Sequence, residues 1–188
     1  MKRFPRWPIL VFLAMGLCFG LTQIQAGDHD FVGSKKCKAC HMKEYKSWET
    51  TTMANALDAL KPGERADAKK AAGLDPDKDY TTDKECLPCH VTGLGEPGGY
   101  VDIETTPALA GVGCEWCHGA GGTYVKSEYM SLKNKEYKKA DIVAVGMVDT
   151  VSEAQCTPCH NDKSPTFKEF TFDTAKGIHE HYPLKYEH

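Results

Sequence analysis

Cys37-Lys38-Ala39-Cys40-His41 is followed along the chain by Cys86-Leu87-Pro88-Cys89-His90, Cys114-Glu115-Trp116-Cys117-His118 and Cys156-Thr157-Pro158-Cys159-His160. Each stretch reads C-x-x-C-H, the attachment pattern for c-type haem. Two thiols add to the two vinyl groups of one porphyrin, and a two-residue gap on a helical turn matches the separation of those groups. The histidine that follows then points at the iron as proximal ligand. The chain has 9 cysteines, and these four motifs use all of them except Cys18. Paired zinc sites would not require a histidine after every second cysteine. A disulfide framework would not space its cysteines as four identical pairs. The motifs therefore predict four covalent haem c groups, held by Cys37, Cys40, Cys86, Cys89, Cys114, Cys117, Cys156 and Cys159. His41, His90, His118 and His160 are the expected iron ligands.

Working outward, Cys18 falls in a segment of another kind. Lys2, Arg3 and Arg6 form a basic start, Ile9 to Leu21 are almost entirely apolar, and Ile24-Gln25-Ala26 offers a cleavage site. That is the pattern of a secretory signal peptide over residues 1–26. Its apolar run is shorter than the roughly 18 residues a spanning helix needs. The expectation is a secreted, periplasmic protein with residues 27–188 as one tetrahaem domain and no transmembrane span in that part. Removing residues 1–26 takes away three of the 23 basic residues and none of the 26 acidic ones, leaving a net charge of −6. Such an acidic chain is not a nucleic-acid binder, and it points to partners with basic docking faces.

The rest of the chain is poor in large aliphatics and rich in Lys, Asp, Glu, Gly and Thr. Side chains alone would struggle to offset the entropy of ordering it, so four flat apolar macrocycles are expected to complete the core. The fold class is mainly α with long loops. Tyr45, Trp48, Thr52, Ala56 and Leu60 recur at threes and fours, predicting a helix over 44–60. A second short helix is expected over 64–72, ended by Gly73. Residues 75–83 read as turns, and 93–113, full of Gly and Pro, as loop with at most a short strand pair. Residues 119–122 extend that loop. Further helices are expected over 124–137 and within 167–182.

The surroundings of the motifs are more specific than the motifs. Gly33-Ser34-Lys35-Lys36-Cys37, Ser47-Trp48, Leu57 to Pro62, Leu74-Asp75-Pro76, Lys78-Asp79-Tyr80 and Thr82-Asp83-Lys84 occur in that order. Cys89-His90-Val91, Gly98-Gly99-Tyr100, Gly111 to Glu115, Cys117-His118-Gly119, Phe170 to Asp173 and His179-Glu180-His181-Tyr182 follow. Through these the chain resembles the tetrahaem cytochrome c-554 family of ammonia-oxidising bacteria, over nearly its whole length beyond residue 26. The resemblance implies a largely helical fold with haems stacked closely enough for an electron to pass between them. It implies no distal protein ligand on the second haem and two histidines on each of the others. The first-motif haem would draw its distal histidine from the stretch after the third motif. The third-motif haem would draw on His179, and the fourth on the helix after the first motif.

This chain departs from that pattern in two places. Met53 stands where the helix after the first motif carries the family's distal histidine. A thioether is the other common sixth ligand of c-type haem and raises its potential relative to two histidines, although methionine also fills core gaps. After the third motif the family histidine falls near Glu128, a poor low-spin ligand. Met130 is the nearby candidate for the first haem, with His29 as a competitor. Beyond the four proximal histidines only His29, His179, His181 and His188 remain. Full two-histidine ligation would need every one of them, so mixed ligation or an open site is expected.

The expected function is electron transfer. The chain would take electrons from a respiratory dehydrogenase or quinol-oxidising complex and give them to a terminal reductase or another cytochrome. No catalytic side chains are assigned. The alternative is a reductase of a small nitrogen oxide, such as nitric oxide, nitrite or hydroxylamine, at an open iron beside His90. An oligomer, as in a haem polymer or surface conduit, is left open by the residues.

Overall fold

The computed structural model describes residues 30–134 and 136–174. Over that range the chain forms short helices joined by long turns. These are α1 (Ser34–Cys37), α2 (Met42–Trp48), α3 (Ala66–Ala71), α4 (Cys114–His118), α5 (Lys139–Ala144) and α6 (Glu153–Cys156). Single 3₁₀ turns lie at Asp58–Leu60, Leu87–Cys89 and Pro107–Leu109. No strand forms among the described residues. The loop expected over 93–113 is found, with one isolated antiparallel bridge joining Ala110 in it to Val91 just before it. No helix of the described residues is long and apolar enough to cross a membrane.

The helix expected over 44–60 ends at Trp48, and the reason is polar. Thr50 and Thr51 turn their hydroxyls back onto the carbonyls of Ser47 (3.0 Å) and Trp48 (2.7 Å). The Asn55 amide takes the Thr51 carbonyl at 2.9 Å. Side chains of this kind offer the backbone an alternative to the helical ladder, and 49–57 becomes a succession of turns. The helix expected over 124–137 is likewise absent. Asn134 Nδ2 takes the Glu128 carbonyl (3.0 Å), and Ser131 Oγ accepts the Lys133 N–H (3.2 Å). The expectation over 64–72 is met by α3, which stops before Gly73 at φ 73°, a left-handed position that glycine occupies at no steric cost. The last expected helix falls largely on residues after 174, outside the described residues.

The apolar core is small and lies on one side. Leu57, Leu60, Tyr80, Leu87, Val91, Tyr100 and Leu109 form it, with Phe31, Leu74 and Leu94 packed against it. All of these cluster about the second motif. Thr92, buried beside Val91, stitches that motif to the following loop: its hydroxyl donates to the Gly111 carbonyl (2.8 Å) and accepts the Gly113 N–H (2.8 Å). Trp48 Nε1 donates to the Val112 carbonyl at 2.9 Å, drawing α2 onto the same loop.

Candidate haem-binding site

All four motifs adopt one turn of helix, as their spacing predicts. In the first and fourth, the carbonyl of the leading cysteine accepts from the second cysteine at 3.1 Å and from the histidine at 2.9 Å. The third motif is α4 itself, and the second sits on the 3₁₀ turn that contains Cys89. None of the eight motif cysteines is paired in a disulfide. Among the described residues no three His, Cys, Asp or Glu side chains converge as a metal cage, whereas a porphyrin brings four nitrogens and needs only one or two axial residues.

Two motif histidines are already oriented. His90 Nδ1 faces the Ala56 carbonyl at 2.5 Å, and His118 Nδ1 faces the Val148 carbonyl at 3.0 Å. A carbonyl can only accept, so Nδ1 carries the proton and Nε2 keeps its lone pair for a metal. Burial holds the His90 ring below its ordinary pKa, against the opposing pull of the Ala56 carbonyl. A neutral imidazole is the form that ligates iron. The His160 ring stacks on Phe170, with centroids 4.7 Å apart. These donors fit a haem at each motif, held by two thioethers and one histidine.

The motifs touch one another in a definite order. Cys37 and Cys114 lie side by side, close enough that each thiol perturbs the other, raising Cys37 and lowering Cys114. Ser34 of α1 supports the same junction, its hydroxyl accepting the Cys114 N–H at 3.1 Å. Cys117 is pushed up to about 11, first by burial and then by the neighbouring Cys156 thiol. Trp116 Nε1 reaches the Gln155 carbonyl at 3.3 Å, tying the third motif to the start of the fourth. Cys159 is pushed up to about 12 by burial and by Cys89, whose sulfur lies 4.0 Å from the Pro158 carbonyl. The first motif therefore meets the third, the third meets the fourth, and the fourth meets the second.

One residue at the heart of this arrangement went unrecognised in the sequence. Glu115 is 3% exposed, and its carboxylate accepts the N–H groups of Val32 (2.9 Å), Gly33 (2.7 Å) and Gly121 (2.7 Å). Three such donors satisfy a buried carboxylate without a cation. A charged residue inside a C-x-x-C-H motif gives no sequence signal of burial. The glycine-rich flanks at Gly33 and at 119–122 are the trace it leaves. A Cβ on Gly121 would sit 2.9 Å from Glu115 Oε1.

The candidate distal ligands are placed unevenly. Met53 is half-buried in the turns after α2, and its carbonyl accepts the Val112 N–H at 2.8 Å. That segment also supplies the carbonyl facing His90. Met130 is half-buried at the end of the turn that begins at Lys126. His179 and His29 lie outside the described residues.

Four haem-attachment turns packed against one another on a short-helix scaffold define a multihaem c-type cytochrome, an electron carrier with covalent haem c. The family model described as cytochrome c554 and c-prime matches residues 36–119. The chain is 38% identical over 208 residues to cytochrome c-554 of Nitrosomonas europaea (strain ATCC 19718), covering 93% of this chain and 88% of that relative. The solved structure of the reduced state of cytochrome c554 from Nitrosomonas europaea superposes with a TM-score of 0.60 at 36% identity, over 80% of this chain and 78% of that one. The chain belongs to the cytochrome c-554 family.

Proposed function

We propose that this protein is a periplasmic relay, taking electrons from a dehydrogenase or quinol-oxidising complex and delivering them to a reductase or another cytochrome. The observation that carries this reading is the continuous series of motif contacts, first to third to fourth to second. A chain that lines up its attachment points end to end suits passage across the molecule better than turnover at one isolated iron. The eight motif cysteines fix the four groups, and His41, His90, His118 and His160 ligate their irons. When bound, the haems supply one-electron chemistry. The polypeptide holds Nε2 of His90 and His118 toward the metal and encloses the Cys37–Cys114 junction.

His179, matched through the family resemblance, would hold the third-motif haem from its second side. Met53 and Met130 would do the same for the fourth and first. The signal-peptide pattern of residues 1–26 supports export, with residues 27–188 as the tetrahaem domain.

The test is a stopped-flow experiment on holoprotein reduced with dithionite and mixed with hexacyanoferrate(III). Rapid delivery of four electrons per molecule is expected, with no sustained consumption of nitrite, nitric oxide or hydroxylamine. Continuous turnover of any of those three would sink the relay reading in favour of a reductase.

A further inference from the structure

The charge of this molecule is not spread evenly over the series of motifs. Residues 34–48, which carry the first motif, contain Lys35, Lys36, Lys38, Lys43 and Lys46 against a single acidic residue, Glu44. Lys35, Lys36, Lys43 and Lys46 are exposed, whereas Glu44 is half-buried. The ion pairs among the described residues, Lys61–Asp58, Lys78–Asp83 and Lys139–Asp149, use none of these lysines. Lys38 is held by an aromatic face, with its Nζ 4.6 Å above the centre of the Tyr45 ring. The whole chain carries a formal charge of −3, so this cationic face runs against the molecule's average.

The same helices carry the first haem-attachment motif. Met42, one residue past the iron ligand His41, is 43% exposed. An exposed apolar side chain next to a haem-attachment motif, on helices whose exposed charges are mostly lysine, has the composition of a protein-docking patch. At the other end of the contact series the sign is reversed. The stretch leading to the second motif holds Asp75, Asp77, Asp79, Asp83 and Glu85 against Lys78 and Lys84.

We propose that the lysine-rich face of α1 and α2 is the docking site for the acidic face of a redox partner protein. This rests on the relay reading and adds where one partner binds and with which charge. The lysines steer the encounter and set its salt dependence. An average taken over the whole chain suggests basic partners. The first-motif end selects the opposite.

The experiment measures reduction of the oxidised holoprotein by a plant-type [2Fe–2S] ferredoxin, an acidic donor, in stopped flow across a range of ionic strength. The wild type should react fastest at low salt and slow steeply as salt rises. The quadruple variant Lys35→Glu, Lys36→Glu, Lys43→Glu, Lys46→Glu should lose about tenfold or more at low salt and invert the salt slope. Its haem content and its rate with dithionite at high ionic strength, where charge is screened, should stay unchanged. A control with Asp75→Lys, Asp77→Lys and Asp79→Lys should not slow the reaction. Equal rates for wild type and quadruple variant would overturn the docking face and leave the relay standing. Charge-dependent sedimentation of the wild type with phosphatidylglycerol vesicles, without a charge-dependent ferredoxin rate, would overturn it in favour of a membrane surface. A protein that accepts electrons from dithionite and passes none to hexacyanoferrate(III) would overturn the relay, and the docking face with it.

Discussion

Glu115 Oε2 accepts the backbone N–H of Gly33 at 2.7 Å, joining the third motif to the residue before α1 across 82 positions of sequence. With Val32 and Gly121 on Oε1, the carboxylate ties two loops to α4 beside Cys37 and Cys114. Glu115→Gln would aim an amide N–H₂ at one of these donors. The expected loss is about 1–3 kcal/mol of stability, read by guanidinium unfolding followed in the far-UV. Removing a buried negative charge beside two attachment points should also raise at least one haem midpoint potential. Unchanged stability and unchanged potentials would refute the structural role given to this carboxylate.

Gly111 clamps the segment that faces His90. Its φ is 84°, its N–H donates to the His90 carbonyl at 3.1 Å, and an added Cβ would fall 2.3 Å from the Ala54 carbonyl oxygen. Gly63 has a similar φ of 76° with nothing within 4 Å. Gly63→Ala therefore carries the left-handed strain alone, about 1 kcal/mol. Gly111→Ala should cost roughly 1–3 kcal/mol more than that and should disturb the spectrum of the haem held by His90. Equal melting-temperature losses for the two variants would show that the clamp yields freely.

Met53 makes a spectroscopic prediction. The oxidised holoprotein should show methionine–iron intensity in near-infrared magnetic circular dichroism. Met53→Leu should remove one such contribution, and Met53→His should lower one midpoint potential. Met130→Leu tests the first haem in the same way. A wild-type spectrum made only of two-histidine haems would exclude both methionines and bring His29 and His188 into the coordination sphere.

Covalent attachment is read by mass. The exported protein should begin at Gly27 and weigh as the polypeptide plus four haems. Cys156→Ser with Cys159→Ser should lack one haem and retain three. A variant that still carries four would displace the fourth motif from its assigned role.

What was legible in the sequence was local. Fixed cysteine spacing imposes a helical turn on each motif, and glycine and proline density marks 93–113 as loop, so these came through. The helix expected over 44–60 failed because its apolar periodicity ran through Thr50, Thr51 and Asn55, whose short polar side chains take the carbonyls that would have continued the helix. The meeting of the motifs was not legible, since it depends on contacts such as Ser34 to Cys114, 80 residues apart. Glu115 was hidden for a related reason. A carboxylate reads as solvent-facing until the three N–H groups that enclose it are seen together. The run of lysines could be counted in the sequence, but its position at one end of a series could not.

The Cys37–Cys114 and Cys89–Cys159 contacts also bear on how the protein is made. Each places side by side two thiols that must end on different porphyrins. Under oxidising conditions, a chain that compacts toward this topology before its cysteines are capped would cross-link the wrong partners. Under such conditions assembly would turn on timing, each pair being joined to its own haem before the neighbouring sulfurs can pair.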